Sequence, residues 1–103
     1  MKKIVYIAHP ISGDVKNNLD RIKRIYTTIS REVPEVVPFA PYWITCHALS
    51  DSIPSDREIG FAHNRAIFES GIINELWVFG YSKGVCEEIK WALDNNIPVI
   101  WKG

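Results

Sequence analysis

The apolar positions of the chain change their spacing in a regular order. From Lys3 to Ala8 they run almost without interruption over a strand's length, as in a strand covered on both faces. His9 to Asp14, broken by Pro10 and Gly13, reads as a loop. From about Asn17 to Glu32 the spacing lengthens to that of a helix. Leu19, Ile22, Tyr26, Ile29 and Val33 mark the buried face, and Arg21, Lys23, Arg24 and Arg31 lie mostly off it. Pro34 stops the helix, and Val36 to Ala40 supplies a second strand. Pro41 to Pro54 is aromatic, apolar and without clear period, with room for a single helical turn. So long an irregular connection suits a lid or binding loop.

Ser55-Asp56-Arg57-Glu58 has the form of a capping box and starts a helix to about Ser70, ended by Gly71. Ile59, Ala62, Ala66 and either Phe68 or Ile67 are its candidate core positions. Leu76 to Gly80 is a third buried strand. Ser82-Lys83-Gly84 is a tight polar loop, and the period of Val85, Ile89, Ala92, Leu93 and Asn96 predicts a helix from Val85 to Asn95. Asn96 is placed to cap that helix in the left-handed conformation. Ile97 to Trp101 forms the last strand, with Pro98 at its start favouring an outer position in the sheet. Strands alternating with helices predict an α/β, three-layer, flavodoxin- or Rossmann-like domain over residues 1–103. Its parallel sheet would have four to five strands, in the simplest order 2-1-3-4, with helices on both faces. In that order the first and third strands meet where the winding reverses, and ligands bind above such a point. The loops His9–Asp14 and Tyr81–Gly84 would border that crevice, with Tyr42–His47 beside them.

Composition narrows this picture without redirecting it. A chain of 103 residues holds one domain, and 47% hydrophobic residues suffice for an ordinary core. Twelve basic residues balance twelve acidic ones, so no net field draws the chain to a nucleic acid polymer or an anionic membrane. No apolar run approaches the roughly 20 residues of a membrane helix. The start, Met1 to Tyr6, reads as a strand and not as a signal peptide. Cys46 and Cys86 have neither disulfide-framework nor metal-ligand spacing, so a cytoplasmic setting without metal or cofactor is the expectation.

Candidate chemistry gathers on Leu76 to Ile89. A strand that passes through a Ser/Gly loop into a helix aims free backbone N–H groups above its own end, a ready site for an anion or for sugar hydroxyls. Glu87 and Glu88 follow in what the pattern makes the first helical turn. Their charge complements the helix dipole there, and since neighbours point about 100° apart, one of the two must turn towards the loop or the sheet. Ser82 and Gly84 read equally as a plain strand-to-helix turn, and Asp56 as a dipole-complementing acid.

The residues carry a resemblance. Tyr6-Ile7-Ala8-His9-Pro10-Ile11-Ser12-Gly13 resembles the opening of the nucleoside 2-deoxyribosyltransferase-like superfamily. Ser82 to Ala92 is similar to the Ser-x-Gly…Glu-Leu-Gly-x-Ala segment of those enzymes and of the related deoxynucleoside 5′-monophosphate N-glycosidases. Pro41-Tyr42-Trp43, Asp56 to Gly60 and Glu75 to Gly80 resemble a small branch frequent in phages and Gram-positive bacteria. The resemblance implies that Glu88 attacks the anomeric carbon of a nucleoside and displaces the base. It also implies that Ser82 and Gly84 hold a 5′-phosphate or 5′-hydroxyl, with Ser12 and Gly13 helping from the opposite loop beside Pro10. Tyr6 or His9 would touch the sugar, with Glu87 at the pocket's edge, and Tyr42, Trp43 and His47 would stack on the base. It further implies a homodimer or larger assembly whose protomers complete each other's pockets.

The chain departs from the family at three places. His9 stands where a glycine is usual, Lys90 replaces a glycine, and Asn64 lies near the usual position of the aspartate that protonates the base. Asn64 cannot supply that proton, which leaves Asp56 and Asp51 as the acids for the role. Two function classes follow. The first is an enzyme that cleaves or transfers the N-glycosidic bond of a nucleoside or nucleotide through Glu88. The second is a binder holding a nucleotide or ADP-ribose-like signal uncleaved, as a sensor or as a phage protein sequestering an immune signal.

Overall fold

The computed structural model describes all of residues 1–103. Its elements are β1 (Lys3–Ala8), α1 (Val15–Glu32), β2 (Val36–Phe39), α2 (Tyr42–Ala48), α3 (Pro54–Glu69), β3 (Glu75–Val78), α4 (Lys83–Asp94) and β4 (Val99–Trp101). The four strands are parallel in the order β2-β1-β3-β4, as the alternation predicts. β1 is therefore an inner strand, and Val5 to Ala8 are fully buried. Alternate β1 residues face opposite layers. Val5 and Ile7 pack with Ile29 of α1 and Val36, whereas Tyr6 and Ala8 pack with Phe68 of α3 and with Val85, Trp91 and Ala92 of α4. β4 lies at the edge, where Pro98 costs no ladder bond. Asn96 takes the left-handed conformation (φ 59°), and Gly71 ends α3 at φ 84°.

Five local expectations give way. The Pro41–Pro54 connection contains a two-turn helix, α2, held by the Tyr42 hydroxyl donating to the Ile7 carbonyl and the Trp43 indole N–H donating to the Leu19 carbonyl. No capping box forms at Ser55. α3 starts one residue earlier on Pro54, whose fixed φ and missing N–H suit the first helical position, and no side chain caps it. The inward face of α3 is also different, for Ile59, Ala62 and Ala66 are exposed. The less exposed stripe is Asp56, Gly60, Asn64, Ile67 and Phe68, a helical spacing hidden by its polar and glycine members. A Cβ on Gly60 would stand 3.0 Å from Thr45 Cγ2, so α2 and α3 approach closely there. In α1, Tyr26 is nearly half exposed while Asn18 is buried. In α4, Leu93 faces solvent, and the inward face is Val85, Glu88, Trp91 and Ala92.

Candidate functional site

The C-terminal ends of β1 and β3 lie side by side, tied by the Phe79 N–H to the Ala8 carbonyl. Just beyond, Gly80 (φ 152°) meets Pro10, whose Cδ would be 2.9 Å from any Cβ at that position. The two loops expected to border one crevice are thus in contact at the winding reversal. α4 then begins at Lys83, two residues earlier than its apolar period suggests. Ser82 is extended, and its Oγ accepts the Val85 N–H at 3.1 Å. Ser82 is accordingly a cap. Gly84 falls in the first turn, and the N–H groups of Lys83 and Gly84 have no backbone or side-chain acceptor. Glu87 and Glu88 consequently occupy the second turn, and the first turn carries no acid.

Of the two glutamates, Glu88 is the one turned inward. Only 8% of its surface is exposed, and its Oε2 accepts from the Tyr6 hydroxyl and, at 3.3 Å, from Asn64 Nδ2. Its Oε1 takes no hydrogen bond from the protein, yet no wholly buried side-chain oxygen is left without a partner, so Oε1 keeps some contact with solvent. Burial raises the Glu88 carboxyl from its ordinary value to about 7, against the opposing pull of the Tyr6 and Asn64 hydrogen bonds. Burial beside this carboxylate likewise holds the Tyr6 and Tyr42 hydroxyls well above their usual range. The acid therefore sits at the end of an aromatic wall. Tyr6 packs 4.7 Å from Phe68 and 5.7 Å from Tyr42, and Phe68 lies 5.6 Å from Trp91. One oxygen is clamped and the other can be presented to a ligand near neutral pH.

The predicted residues divide into four groups. Tyr6, Asn64, Tyr42 and Glu88 come together, although Asn64 serves by holding the acid. His9, Pro10, Ser82 and Gly84 lie at the strand ends, and exposed Ser12 and Gly13 (φ 94°) continue the β1 loop. Glu87 is partly exposed beside them. Trp43 and His47 pack against each other with tilted rings at 4.3 Å, and Trp43 lines a groove of about 250 Å³ with Ile22, Tyr26, Ala40 and Ile44. That groove does not include Glu88. Asp56 is committed elsewhere, accepting the Ser50 N–H at 2.9 Å. Eight residues separate it from Asn64 along α3, about 12 Å of helix rise. The sequence reading missed Asn18, which donates to the Ile11 carbonyl at 3.0 Å and braces the β1 loop. Its helical spacing with Ile22, Ile25 and Ile29 was the available signal.

No group of three or more His, Cys, Asp or Glu side chains stands close enough to hold a metal ion, and no helix is long and apolar enough to cross a membrane. Comparison with known families matches residues 3–102 to a family described as a Domain of unknown function (DUF7768). No curated protein matches the chain.

Proposed function

We propose, for a chain that belongs to the DUF7768 family over nearly all its length, that it binds a nucleoside, nucleotide or ADP-ribose-like ligand above β1 and β3. On this reading it cleaves or transfers the N-glycosidic bond through Glu88, as in the nucleoside deoxyribosyltransferase-like superfamily. The observation that carries the reading is the Glu88 carboxylate, with Oε2 clamped by Tyr6 and Asn64 and Oε1 open. An ionised Oε1 attacks C1′, and the C1′–N bond breaks with its electron pair going to the base, which takes a proton from water. Water, or a second base in transfer, then displaces the sugar from the ester and restores the carboxylate. Tyr6 and Asn64 orient the nucleophile and hold its charge, and the Lys83 and Gly84 N–H groups receive the 5′ end. Incubation with a panel of nucleosides and nucleotides, followed for free base, tests this. Release of base by the native chain and none by Glu88→Gln is the expected result, and turnover by Glu88→Gln refutes the assignment.

A second reading has its own support. Asn64 has no proton to give a leaving base, Asp56 accepts the Ser50 N–H and Asp51 pairs with Arg57, so none of the side chains expected to protonate the base is free to do so. A non-catalytic binder, a sensor or a protein sequestering a signalling nucleotide, needs none. Recovery of tightly bound, uncleaved nucleotide favours it. A homodimer or larger assembly belongs to either reading and is supported by exposed apolar side chains on two neighbouring helices, Ile44 of α2 and Ile59 of α3.

A further inference from the structure

The two edges of the sheet are unequal, and the register sets which backbone groups of each edge strand face outward. The Lys3 N–H donates to the Glu35 carbonyl, so Glu35, Val37 and Phe39 turn to β1 and Val36 and Pro38 turn out. The Val33 carbonyl takes the Val36 N–H at 3.0 Å and Pro38 has none, so β2 offers no free donor to another strand. At the other edge the Leu76 N–H donates to the Pro98 carbonyl and the Lys102 N–H to the Val78 carbonyl. Pro98, Ile100 and Lys102 therefore turn to β3, and Val99 and Trp101 face out. No strand lies beyond β4, and neither of those two N–H groups finds an acceptor in a turn or loop.

Large apolar side chains flank this open edge. Val99 and Trp101 share the sheet face of Leu76 and Val78, and Trp101 is 58% exposed. On that face α3 lies over β1 through Phe68 and meets α4 where Phe61 packs on Trp91. Leu93, about 200° round α4 from Trp91, stands on the side away from α3, above the open edge, and is 64% exposed. Lys102 does not guard the edge, since its ammonium lies over the Trp77 ring at 4.1 Å. We infer that β4 pairs antiparallel with β4 of a second copy, joining two sheets into one. The edge is complementary to itself about a two-fold axis at Ile100. Val99 then faces Trp101 of the partner subunit, and each such pair exchanges both N–H···O bonds. It is also a β-branched–aromatic pair, a favourable cross-strand combination. Lys102 falls opposite the partner's Pro98, so no like charges meet. The same axis keeps both α4 helices on one face and brings their Leu93 sides together. A lone peptide strand would use the same N–H groups but leave Leu93 uncovered, whereas a second copy covers both. The pairing is independent of any ligand at Glu88 and uses a surface separate from Ile44 and Ile59.

Sedimentation velocity and amide hydrogen exchange test this. A chain carrying Ile44→Glu and Ile59→Glu should still sediment as a dimer, and adding Trp101→Pro should halve its mass. Proline there removes the indole and an outward N–H without touching the ladder to β3, at an edge where proline is tolerated. In the native chain the Val99 and Trp101 amides should exchange roughly tenfold or more slowly as protein concentration rises through dimerisation. The Ile100 amide, which faces β3, should stay protected throughout. A monomer in the Ile44→Glu, Ile59→Glu chain overturns the inference. So does an unchanged mass on adding Trp101→Pro to a chain that keeps its native circular dichroism spectrum. If Trp101→Pro unfolds the chain, the exchange rates decide, and fast exchange of both edge amides at every concentration overturns the pairing. Protection of those amides in a monomer means that something other than a second copy holds the edge, and it overturns the pairing too.

Discussion

At Glu88 desolvation and hydrogen bonding oppose each other, and desolvation wins. Two donors to Oε2 favour the carboxylate, but burial drives the group up to about 7. The native state therefore holds a proton that the unfolded chain releases near the ordinary carboxylate value of about 4.5. Stability from this group is complete below that value and is lost as pH rises through about 7, by on the order of 3 kcal/mol. Urea unfolding at pH 5 and pH 8 should show this loss in the native chain and little of it in Glu88→Gln. A native chain equally stable at both values would refute the burial argument. Tyr6→Phe removes one donor and nothing else of size, so Glu88 should titrate higher. On the enzyme reading, base release at pH 7 should fall about tenfold and recover towards higher pH. An unshifted pH–rate profile would mean that Tyr6 does not govern the acid. That one of Glu87 and Glu88 faces inward was legible in the sequence from their spacing, and the resemblance pointed to Glu88. Its partners were not, because Tyr6 lies 82 positions away and no periodicity reports so distant a contact.

At the scale of elements, short polar segments decided more than long apolar ones. Ser82 starts α4 earlier than the apolar period allows, because the cap and the first turn bury little and leave no trace in that period. Ser82→Ala should cost about 1 kcal/mol in chemical unfolding, the usual worth of such a cap. A loss of several times that size would show that the hydroxyl also holds the β1 loop. Gly80 is a stricter position, since alanine there meets both a positive φ and Pro10 at 2.9 Å. Gly80→Ala should destabilise by about 1–3 kcal/mol, and a neutral effect in thermal unfolding would mean that the two loops separate freely. α3 misleads for a related reason. Its inward stripe includes Asp56, Gly60 and Asn64, while the apolar Ile59, Ala62 and Ala66 are exposed.

That outward face matters for the whole molecule. Ile59 is 43% exposed, and Ile44 of neighbouring α2 is more exposed still, although the sheet already has a helical layer on each side. A second copy is the reading proposed above for what covers them. Sedimentation velocity should find a dimer or larger species for the native chain, and Ile44→Glu with Ile59→Glu should shift it to a smaller one. A native monomer would refute the assembly.

The sequence by itself determined the strand order, the meeting of the first and third strands where the winding reverses, the left-handed turn at Asn96 and the inward turn of one of two adjacent glutamates. All of these follow from local period, turn chemistry and the handedness of crossovers. The tertiary structure alone decided that Tyr6 and Asn64 clamp that glutamate, that Asp56 is spent on Ser50, and that α3 buries its polar stripe. The physical reason is the same in each case. Apolar burial repeats along a chain and can be counted there, whereas a buried polar group is stabilised by one partner brought from a distant element.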